Sequence, residues 1–279
     1  MRSYFNRHYV RYPGFGFFAL LIGLIICLSS CSTEFERVRT SNDPKLILTK
    51  ANEYYKDKEW VSAQTLYELA VQFYRGKAEA EEIFFNIAYT YYHTGEYITA
   101  SHYFSNFVST FYNSKNKEEA DFMAAYSHYK LSPNYKLDQS YSQKSVEALQ
   151  SFVNKYPDSK RIPECNKLMD EMRKKMEKKA HQQGLLYYKL GQYQSAVKSF
   201  EILLKDYPGS AFETEAKYLL VKSSFELAEN SIEEKREERY NETIDYCKKY
   251  MDKFKDKKLN KEIKEIYQKS LSNIKKIKA

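Results

Sequence analysis

Residues that interrupt helices are scarce in this chain. Its 279 residues include only 8 glycines and 6 prolines. No run of alternating apolar and polar residues is bounded by turn residues, as strands would require. These shortages argue against a β-sandwich or barrel, both of which need many tight turns. We therefore predict an all-α fold.

Cysteine is also scarce, with four in the chain. Cys27 and Cys31 belong to the amino-terminal segment, while Cys165 and Cys247 stand 82 positions apart. Two cysteines so far apart indicate neither a disulfide framework nor a metal site. Cys247 falls at a core position of a repeat, and we expect it to be a buried free thiol.

Motifs of catalysis are missing. The sequence has no Gly-rich phosphate loop, no H-E-x-x-H and no G-x-S-x-G. The histidines of the central region have no nucleophile or metal-ligand spacing beside them, although a nucleophile, a base and an orienting group are needed together. We therefore predict that the protein is not an enzyme and needs no cofactor. The histidines concerned are His93, His102, His128 and His181.

Charge of one sign is not concentrated anywhere. The formal net charge is +8, and three of the basic residues, Arg2, Arg7 and Arg11, precede the repeats. The remaining 42 basic and 37 acidic residues mix Lys and Glu along helix faces, which is typical of a solvated surface. Without a compact basic stripe, we do not expect binding to nucleic acid.

A hydrophobic run long enough to span a bilayer is absent. The longest run, from Phe15 to Leu28, has 14 residues and includes two glycines. A transmembrane helix needs ~20 apolar residues. Because a basic region precedes this short run, we predict that residues 1–30 are an export signal.

The end of this run resembles the lipobox of bacterial lipoproteins, because small residues precede Cys31 in Leu28-Ser29-Ser30-Cys31. The resemblance implies that Cys31 becomes the first residue of the mature chain and carries a lipid, which would hold a soluble domain on a membrane. An uncleaved anchor with an incidental cysteine is the alternative. Residues 31–41 are polar and aperiodic, and we expect a tether there.

A repeat of 37 residues organises the chain from about residue 41 to residue 254. Small residues mark its period, since Ala51, Ala88 and Ala125 are 37 positions apart, as are Gly184 and Val221. In each repeat a helix with the marker residue is followed by a turn and by apolar residues at helical spacing. In the second repeat these are Ala100, Phe104 and Phe107, which with Ala88 we expect in the core. The pattern predicts pairs of short helices.

We predict that five such pairs form a right-handed superhelix. Pairs one to three occupy residues 42–160. Pairs four and five follow in residues 161–254, after a long helix from about Pro163 to Leu190 that joins two halves of the array. A Lys-rich helix over residues 255–279 caps the stack with a polar outer face. Its other face carries an apolar line of Leu259, Ile263, Ile266, Ser270, Ile274 and Ile277.

Local signals predict where helices begin and where turns are long. Asp43 and Pro44 are typical of the start of the first helix. Ser210 and Glu213 have the spacing of a capping box. The turn in the third pair, Lys130–Gln143, is widened by eight extra residues.

The repeats resemble tetratricopeptide repeats, whose usual length is ~34 residues. The lipobox, the five repeats and a recurring Phe/Leu-x-x-x-aromatic-(Pro)-x-Ser helix ending are together similar to the BamD family of lipoproteins. The third turn adds Ser132-Pro133 followed by Leu137-Asp138-Gln139. The likeness covers about residues 31–254.

The resemblance implies a function at the outer membrane. The protein would lie on the periplasmic face, bind the periplasmic domains of the barrel-forming subunit BamA, and receive unfolded outer-membrane proteins. The sequence departs from the pattern at Tyr112, which replaces a proline, and at Val221 and Thr243, which replace small residues of the fifth repeat. These last two leave the packing of that pair open.

A peptide groove is predicted on the first helices of the early pairs. Positions one and four residues after Ala51, Ala88 and Ala125 should face the concave side of a superhelix, and five of these six residues are Tyr. Such a groove would suit an extended peptide with aromatic side chains. The alternative is that the rings fill gaps between repeats. The candidates are Asn52, Tyr55, Tyr89, Tyr92, Tyr126 and Tyr129, with His93 and Lys130 beside them.

A second candidate surface lies in the fifth turn, where Arg236 and Arg239 could pair with carboxylates of a partner domain. A solvated helix extension is the alternative interpretation of that charged run. Two other functions also stay open. One is a periplasmic adaptor for cell-wall enzymes, and the other is a surface lipoprotein that captures nutrients.

Overall fold

The computed structural model describes residues 34–254 and 257–279, and every regular element in these ranges is an α-helix. The prediction of an all-α chain of helix pairs is confirmed. The export signal and Cys31 lie outside the described residues. After a short helical segment at residues 34–39, the helices are α1 (Pro44–Lys56), α2 (Trp60–Tyr74), α3 (Ala80–His93), α4 (Tyr97–Thr110), α5 (Lys117–Leu131), α6 (Ser140–Lys155), α7 (Ile162–Lys189), α8 (Tyr193–Asp206), α9 (Glu213–Glu229), α10 (Glu233–Lys253) and α11 (Lys257–Lys278).

The chain divides into two compact units. The first ends at Ser127 and the second begins at His128, so the division falls inside α5. The long helix α7 lies within the second unit. It spans Ile162–Lys189, in agreement with the long helix that the sequence predicts from about Pro163 to Leu190.

Small residues let the helices of the first unit approach closely. Helix α1 packs on α2, α2 on α3 and α3 on α4, and Ala51, Ala88 and Ala100 are fully buried. Phe104 and Phe107 of α4 are also fully buried. Burial of one such ring stabilises the fold by about 1.5–3 kcal/mol. The periodic residues of the second repeat therefore form core, as their spacing predicted.

Residues 34–39 are helical, which corrects the expectation of a tether over residues 31–41. Val38 is fully buried in the core of the first unit. Phe35 packs edge-on against Tyr54 of α1, with 6.0 Å between ring centroids. A helical segment of six residues is too short to show a hydrophobic period, so the sequence pattern did not reveal it.

The start of α1 confirms the predicted cap. Asp43 Oδ1 accepts hydrogen bonds from the backbone N–H groups of Lys45 at 3.0 Å and Leu46 at 3.2 Å, and Pro44 is the first helical residue. A cap of this kind is worth ~1 kcal/mol.

The predicted capping box of Ser210 and Glu213 is wrong. Helix α9 begins at Glu213, and the residue at its cap position is Phe212. Ser210 therefore stands outside the helix, where its Oγ accepts from the N–H of Phe212 at 3.0 Å. The hydroxyl of Ser210 donates to Glu177 of α7 instead of capping α9.

Gly184 permits a close approach between α7 and α8. A Cβ added at this position would lie 2.7 Å from Cε1 of Phe200, and Phe200 is fully buried. Because no side chain fits there, the marker position of the fourth repeat requires glycine.

The fifth pair packs without a small marker residue. Val221 and Thr243 are buried, and Thr243 Oγ1 donates to the carbonyl of Arg239 at 2.9 Å. The Ser224 hydroxyl, 2.8 Å away, can then donate to Thr243. Pairing of two hydroxyls satisfies polar groups that this core would otherwise leave unbonded.

Both cysteines of the described chain are buried free thiols, as predicted for Cys247. Burial raises the pKa of Cys165 to about 11 and that of Cys247 to about 12. Thiols with such values carry little thiolate at neutral pH and are therefore unreactive.

Helix α11 covers the end of the second unit by packing on α10 and α9. Its buried side chains are Ile263, Ile266 and Ser270, all of which belong to the apolar line of the predicted cap. None of the described helices is both long and apolar enough to cross a membrane.

Candidate functional site

Aromatic side chains of the first unit form a continuous series of ring contacts, which we call the aromatic cluster. It joins helices α1, α2, α3 and α5, and neighbouring ring centroids lie 4.1–6.2 Å apart. Contacts at these distances favour offset or edge-on geometry. The series runs through Tyr67, Tyr55, Trp60, His93, Tyr92, Tyr126 and Phe122.

Tyr67 anchors one end of the aromatic cluster. It is fully buried, and its hydroxyl donates to Asn52 Oδ1 at 2.6 Å and accepts from Asn86 Nδ2 at 3.0 Å. Burial raises the pKa of Tyr67 far above its ordinary value. The predicted groove residue Asn52 therefore has a structural partner, which its position in the repeat did not reveal.

Trp60 and His93 form the closest contact of the aromatic cluster. Their rings are stacked 4.1 Å apart with an interplanar angle of 12°, and Tyr55 meets the indole edge-on at 5.3 Å. Although His93 is exposed along one side, partial desolvation of its ring, which is stacked on Trp60, and secondarily the charge of Lys58 lower the pKa of His93. The imidazole is therefore neutral at neutral pH, and it presents a flat uncharged ring beside the indole.

Trp60 was missed as a candidate site residue, although the sequence contains a signal for it. Trp60, Tyr97 and Tyr193 are the first residues of α2, α4 and α8, so an aromatic ring recurs where the second helix of a pair begins. Tyr97 likewise contacts Tyr92, with ring centroids 5.4 Å apart. The first residue of α4 thus also borders the predicted groove.

Tyr89 and Tyr92 differ in their surroundings. Tyr89 packs edge-on against Phe104, at 5.0 Å, and its hydroxyl donates to Glu119 Oε1 at 2.7 Å. Tyr92 contacts His93 and other rings, and burial raises its pKa to about 12. Tyr89 therefore connects α3 to the core and only borders the aromatic cluster, through a stacked contact with His93 at 6.1 Å, whereas Tyr92 lies within the cluster.

Tyr126 extends the aromatic cluster onto α5, where it stacks on Phe122 at 5.5 Å. The other two predicted groove residues of this helix, Tyr129 and Lys130, belong to the second unit. Tyr129 donates to Glu171 Oε2 of α7 at 2.9 Å, and Lys130 is exposed. Six of the eight groove candidates thus lie in the first unit.

The arginines of the predicted docking surface bind the end of α9. Arg236 Nε donates to the carbonyl of Ser231 at 2.9 Å, and its Nη2 donates to that of Glu229 at 3.3 Å. Arg239 donates to the hydroxyl of Ser231. The Arg236 guanidinium therefore satisfies two carbonyl groups at this helix end, where such groups otherwise lack partners, whereas Arg239 binds a side-chain hydroxyl.

Metal-ligating residues do not converge in the part of the chain that the structure describes, where no group of three or more His, Cys, Asp or Glu side chains could hold an ion. Helix pairs with aromatic rings on their first helices are features of repeat proteins that bind other proteins. The first unit, with its aromatic cluster, has the character of a protein-interaction scaffold.

The chain belongs to the YfiO family of outer membrane lipoproteins, whose sequence profile matches residues 40–275. The match supports the resemblance to lipoproteins of the BamD type, and it includes α11, beyond the range that the sequence motifs cover. No curated protein sequence matches the chain.

The solved structures that match the chain include two whose resemblance to the fold is weak. A TPR repeats protein from Bacteroides fragilis has a TM-score of 0.37 and 14% identity, over 83% of this chain and 99% of its own. The TPR2AB domain of yeast Sti1, in its complex with pHSP90, has a TM-score of 0.37 and 14% identity, over 81% and 98%.

Proposed function

We propose that the protein is a non-catalytic scaffold of the machinery that assembles β-barrel proteins in the outer membrane. The observation that carries the proposal is membership of an outer membrane lipoprotein family over residues 40–275. Helix pairs with an aromatic cluster suit such a binding function. The proposed partners are the periplasmic domains of a BamA-like barrel subunit and unfolded outer-membrane proteins.

The proposed location is the periplasmic face of the outer membrane, with a lipid on Cys31. Glu34 is the first described residue of the helical segment, and three residue steps from Cys31 span at most ~10 Å. Because Val38 packs in the core of the first unit, a lipid on Cys31 would hold that unit close to the headgroups. Substitution Cys31→Ala should release the protein from membranes, and a membrane-bound product of unchanged size would contradict lipidation.

The aromatic cluster is the proposed binding site for the peptide. Its half-buried rings offer flat apolar surfaces with polar edges, and such rings are common in protein interfaces. Tyr55, Tyr92 and Tyr126 are half-buried and His93 is exposed. An extended carboxyl-terminal segment with aromatic side chains, as an unfolded barrel protein supplies, would pack its rings on these surfaces.

Docking of a partner domain through Arg236 and Arg239 is a further part of the proposal. A guanidinium group has five N–H donors, and the two backbone bonds of Arg236 described above use two of them. Arg236 is exposed, so donors at the end of α9 can reach a partner carboxylate. Substitution to alanine should therefore affect both partner binding and the end of α9.

Affinity purification from detergent-solubilised envelope tests the proposed function. We expect a large β-barrel protein to co-purify with the chain in stoichiometric amount. Co-purification with peptidoglycan hydrolases instead would favour an adaptor for cell-wall enzymes. Labelling of the protein on intact cells would favour a surface-exposed function and contradict the periplasmic location.

A further inference from the structure

The widened turn between α5 and α6 has a conformation fixed by one buried side chain. We call residues 132–139 the 132–139 loop. Gln139 is 9% exposed, and its Nε2 donates to the carbonyl groups of Asn134 at 2.9 Å and Leu137 at 3.0 Å. This one amide therefore bonds two backbone carbonyl groups of the loop from inside it.

Helix α7 supports the same loop from outside through three lysines at i, i+3 and i+4, which lie on one face of the helix. Lys175 Nζ donates to Ser132 Oγ at 2.7 Å, and Lys179 Nζ donates to the carbonyl of Leu137 at 2.6 Å. Lys178 Nζ lies 4.4 Å from the centre of the Tyr135 ring. Ser132, Tyr135 and Leu137 of the loop therefore each contact a lysine of α7.

A chain of hydrogen bonds connects Lys175 of α7 to Gln139 inside the loop. Ser142 Oγ donates to Gln139 Oε1 at 2.7 Å, so its single proton is used, and the Ser132 hydroxyl at 2.6 Å must donate to Ser142. The direction of donation is therefore Lys175 to Ser132 to Ser142 to Gln139. Bonds arranged in one direction strengthen one another.

Leu137 stands out from this supported loop. It is 60% exposed, although the backbone carbonyl of the same residue accepts two hydrogen bonds. A single exposed leucine is common on protein surfaces, but this one is presented on a backbone that hydrogen bonds already hold in place. A partner that buries it gains apolar contact and loses little conformational entropy from the loop.

The surroundings of Leu137 are mainly basic. Lys136 and Lys178 are exposed, and Lys175 and Lys179 reach the loop through the contacts described above. The one carboxylate within the loop is Asp138, whose Oδ1 accepts from the N–H of Ser140 at 2.9 Å. Glu171 of α7 is a second carboxylate, one turn before Lys175, and the four cations still outnumber these two anions and favour an acidic partner surface.

We propose that the 132–139 loop is a preformed docking element that inserts Leu137 into an apolar pocket with an acidic rim on a periplasmic domain of the barrel subunit. The chemistry of the pocket is deduced from the loop, and the identity of the partner rests on the proposed function. Exposed Leu137 supplies the apolar contact, the lysines supply charge complementarity, and Gln139 maintains the backbone that presents both.

Binding of the purified lipoprotein, in detergent, to the purified periplasmic domains of the barrel subunit tests this proposal. Substitution Leu137→Glu should weaken binding at least tenfold, because it places a charge in the apolar pocket and beside the acidic rim. Substitution Lys136→Glu should weaken binding severalfold, with the larger loss at low salt. Unfolding temperatures of both variants should equal that of the parent protein, since both side chains are exposed.

Matched controls lie on α8 of the same unit. Ile202 is 45% exposed and Lys205 is exposed, so Ile202→Glu and Lys205→Glu introduce the same charges away from the loop and should change binding less than twofold. Equal affinity of the parent and Leu137→Glu would overturn the docking element while leaving the proposed function intact.

Two further results separate the remaining explanations. Absence of binding by the parent protein would overturn both the proposed partner and this inference. If Leu137→Glu instead abolished binding of the Cys31→Ala protein to vesicles that contain phosphatidylserine, an anionic lipid, with barrel-subunit binding unchanged, the loop would be a membrane contact and the proposal would be wrong.

Discussion

Ser114 donates a 2.6 Å hydrogen bond from its hydroxyl to Glu81 Oε1, at the start of α3. The same hydroxyl oxygen accepts from the N–H of Asn116 at 3.0 Å. In the second unit Ser210 and Glu177 repeat this contact, and both pairs are 33 residues apart in sequence. The serine that ends a second helix thus also binds the preceding first helix.

Substitution Ser114→Ala should therefore destabilise the protein. The change removes a hydrogen bond to a carboxylate, which is worth about 1.5–3 kcal/mol, and leaves the Asn116 N–H without its acceptor. Chemical denaturation measures the loss. Ser109 offers a control, because its hydroxyl bonds only to carbonyl groups of its own helix, and Ser109→Ala should cost less than ~0.5 kcal/mol. Equal losses in the two variants would contradict the role of the Ser114 bond.

Lys58 occupies a turn position that glycine fills in the next repeat. Its φ is 63°, and that of Gly95, 37 positions later, is 85°. A side chain in this left-handed region costs ~1 kcal/mol or more. Substitution Lys58→Gly should therefore stabilise the first unit by about that amount, measured as a higher midpoint of urea unfolding.

Lys56 provides the matched control for Lys58. It is the last residue of α1, where glycine loses helix propensity, so Lys56→Gly should destabilise by up to ~1 kcal/mol. Destabilisation by both glycine substitutions would show that the left-handed conformation at Lys58 carries no strain.

The repeats could be predicted from the sequence because small and apolar residues recur in it at fixed spacing. Contacts between residues that share no such spacing could not be predicted. Alternating small and apolar residues identify the helix pairs, so Ala88 and Phe104 were assigned to the core from their spacing alone. The partner of Ser210 could not be found in this way. Its carboxylate, Glu177, is 33 residues away, whereas a capping box requires a partner only three residues away.

In the candidate site, too, spacing predicted some features and missed others. Periodicity placed Tyr89 and Tyr92 together, since both follow Ala88 on one helix. Only three-dimensional packing distinguishes them, because Glu119 and Phe104 come to Tyr89 from other helices. Single-sequence patterns locate a face of a helix, but they do not show which neighbours occupy that face.

His181 should make the second unit sensitive to acid. Its ring is 2% exposed and stacks on Phe212 at 4.3 Å. Its Nε2 lies 3.3 Å from Glu215 Oε2, yet without the geometry of a hydrogen bond. Burial lowers the pKa of His181, and the opposing attraction of Glu215 and Glu177 does not restore it.

The lowered pKa determines the direction of the effect. Below pH ~6.5 the unfolded chain binds a proton at this histidine that the folded chain resists. Stability should therefore fall as the pH decreases through about 6.5, by at most ~1.4 kcal/mol per pH unit for one group. The buried variant His181→Phe should show a smaller fall between pH 7.5 and 5.5, measured by thermal unfolding. His128 is a second group of this unit with a lowered pKa, so His128→Phe serves as the comparison.

Tyr92 and Tyr89 should respond differently in assays of peptide binding. Double substitution of both residues to alanine tests the groove, but removal of the Tyr89 ring also removes its contacts with Phe104 and Glu119. Single variants avoid this difficulty. We expect Tyr92→Ala to weaken binding of a peptide with a carboxyl-terminal aromatic residue by about tenfold, or ~1.4 kcal/mol.

Tyr89→Phe is the matched variant for this experiment. It keeps the ring but removes the 2.7 Å bond to Glu119, so it should lower the unfolding free energy by ~1.5 kcal/mol or more and leave peptide affinity within twofold. Fluorescence anisotropy of a labelled peptide measures affinity, and denaturant unfolding measures stability. Unchanged affinity of Tyr92→Ala would show that the aromatic cluster only fills the space between helices, because the tyrosine that links His93 to Tyr126 would then take no part in recognition.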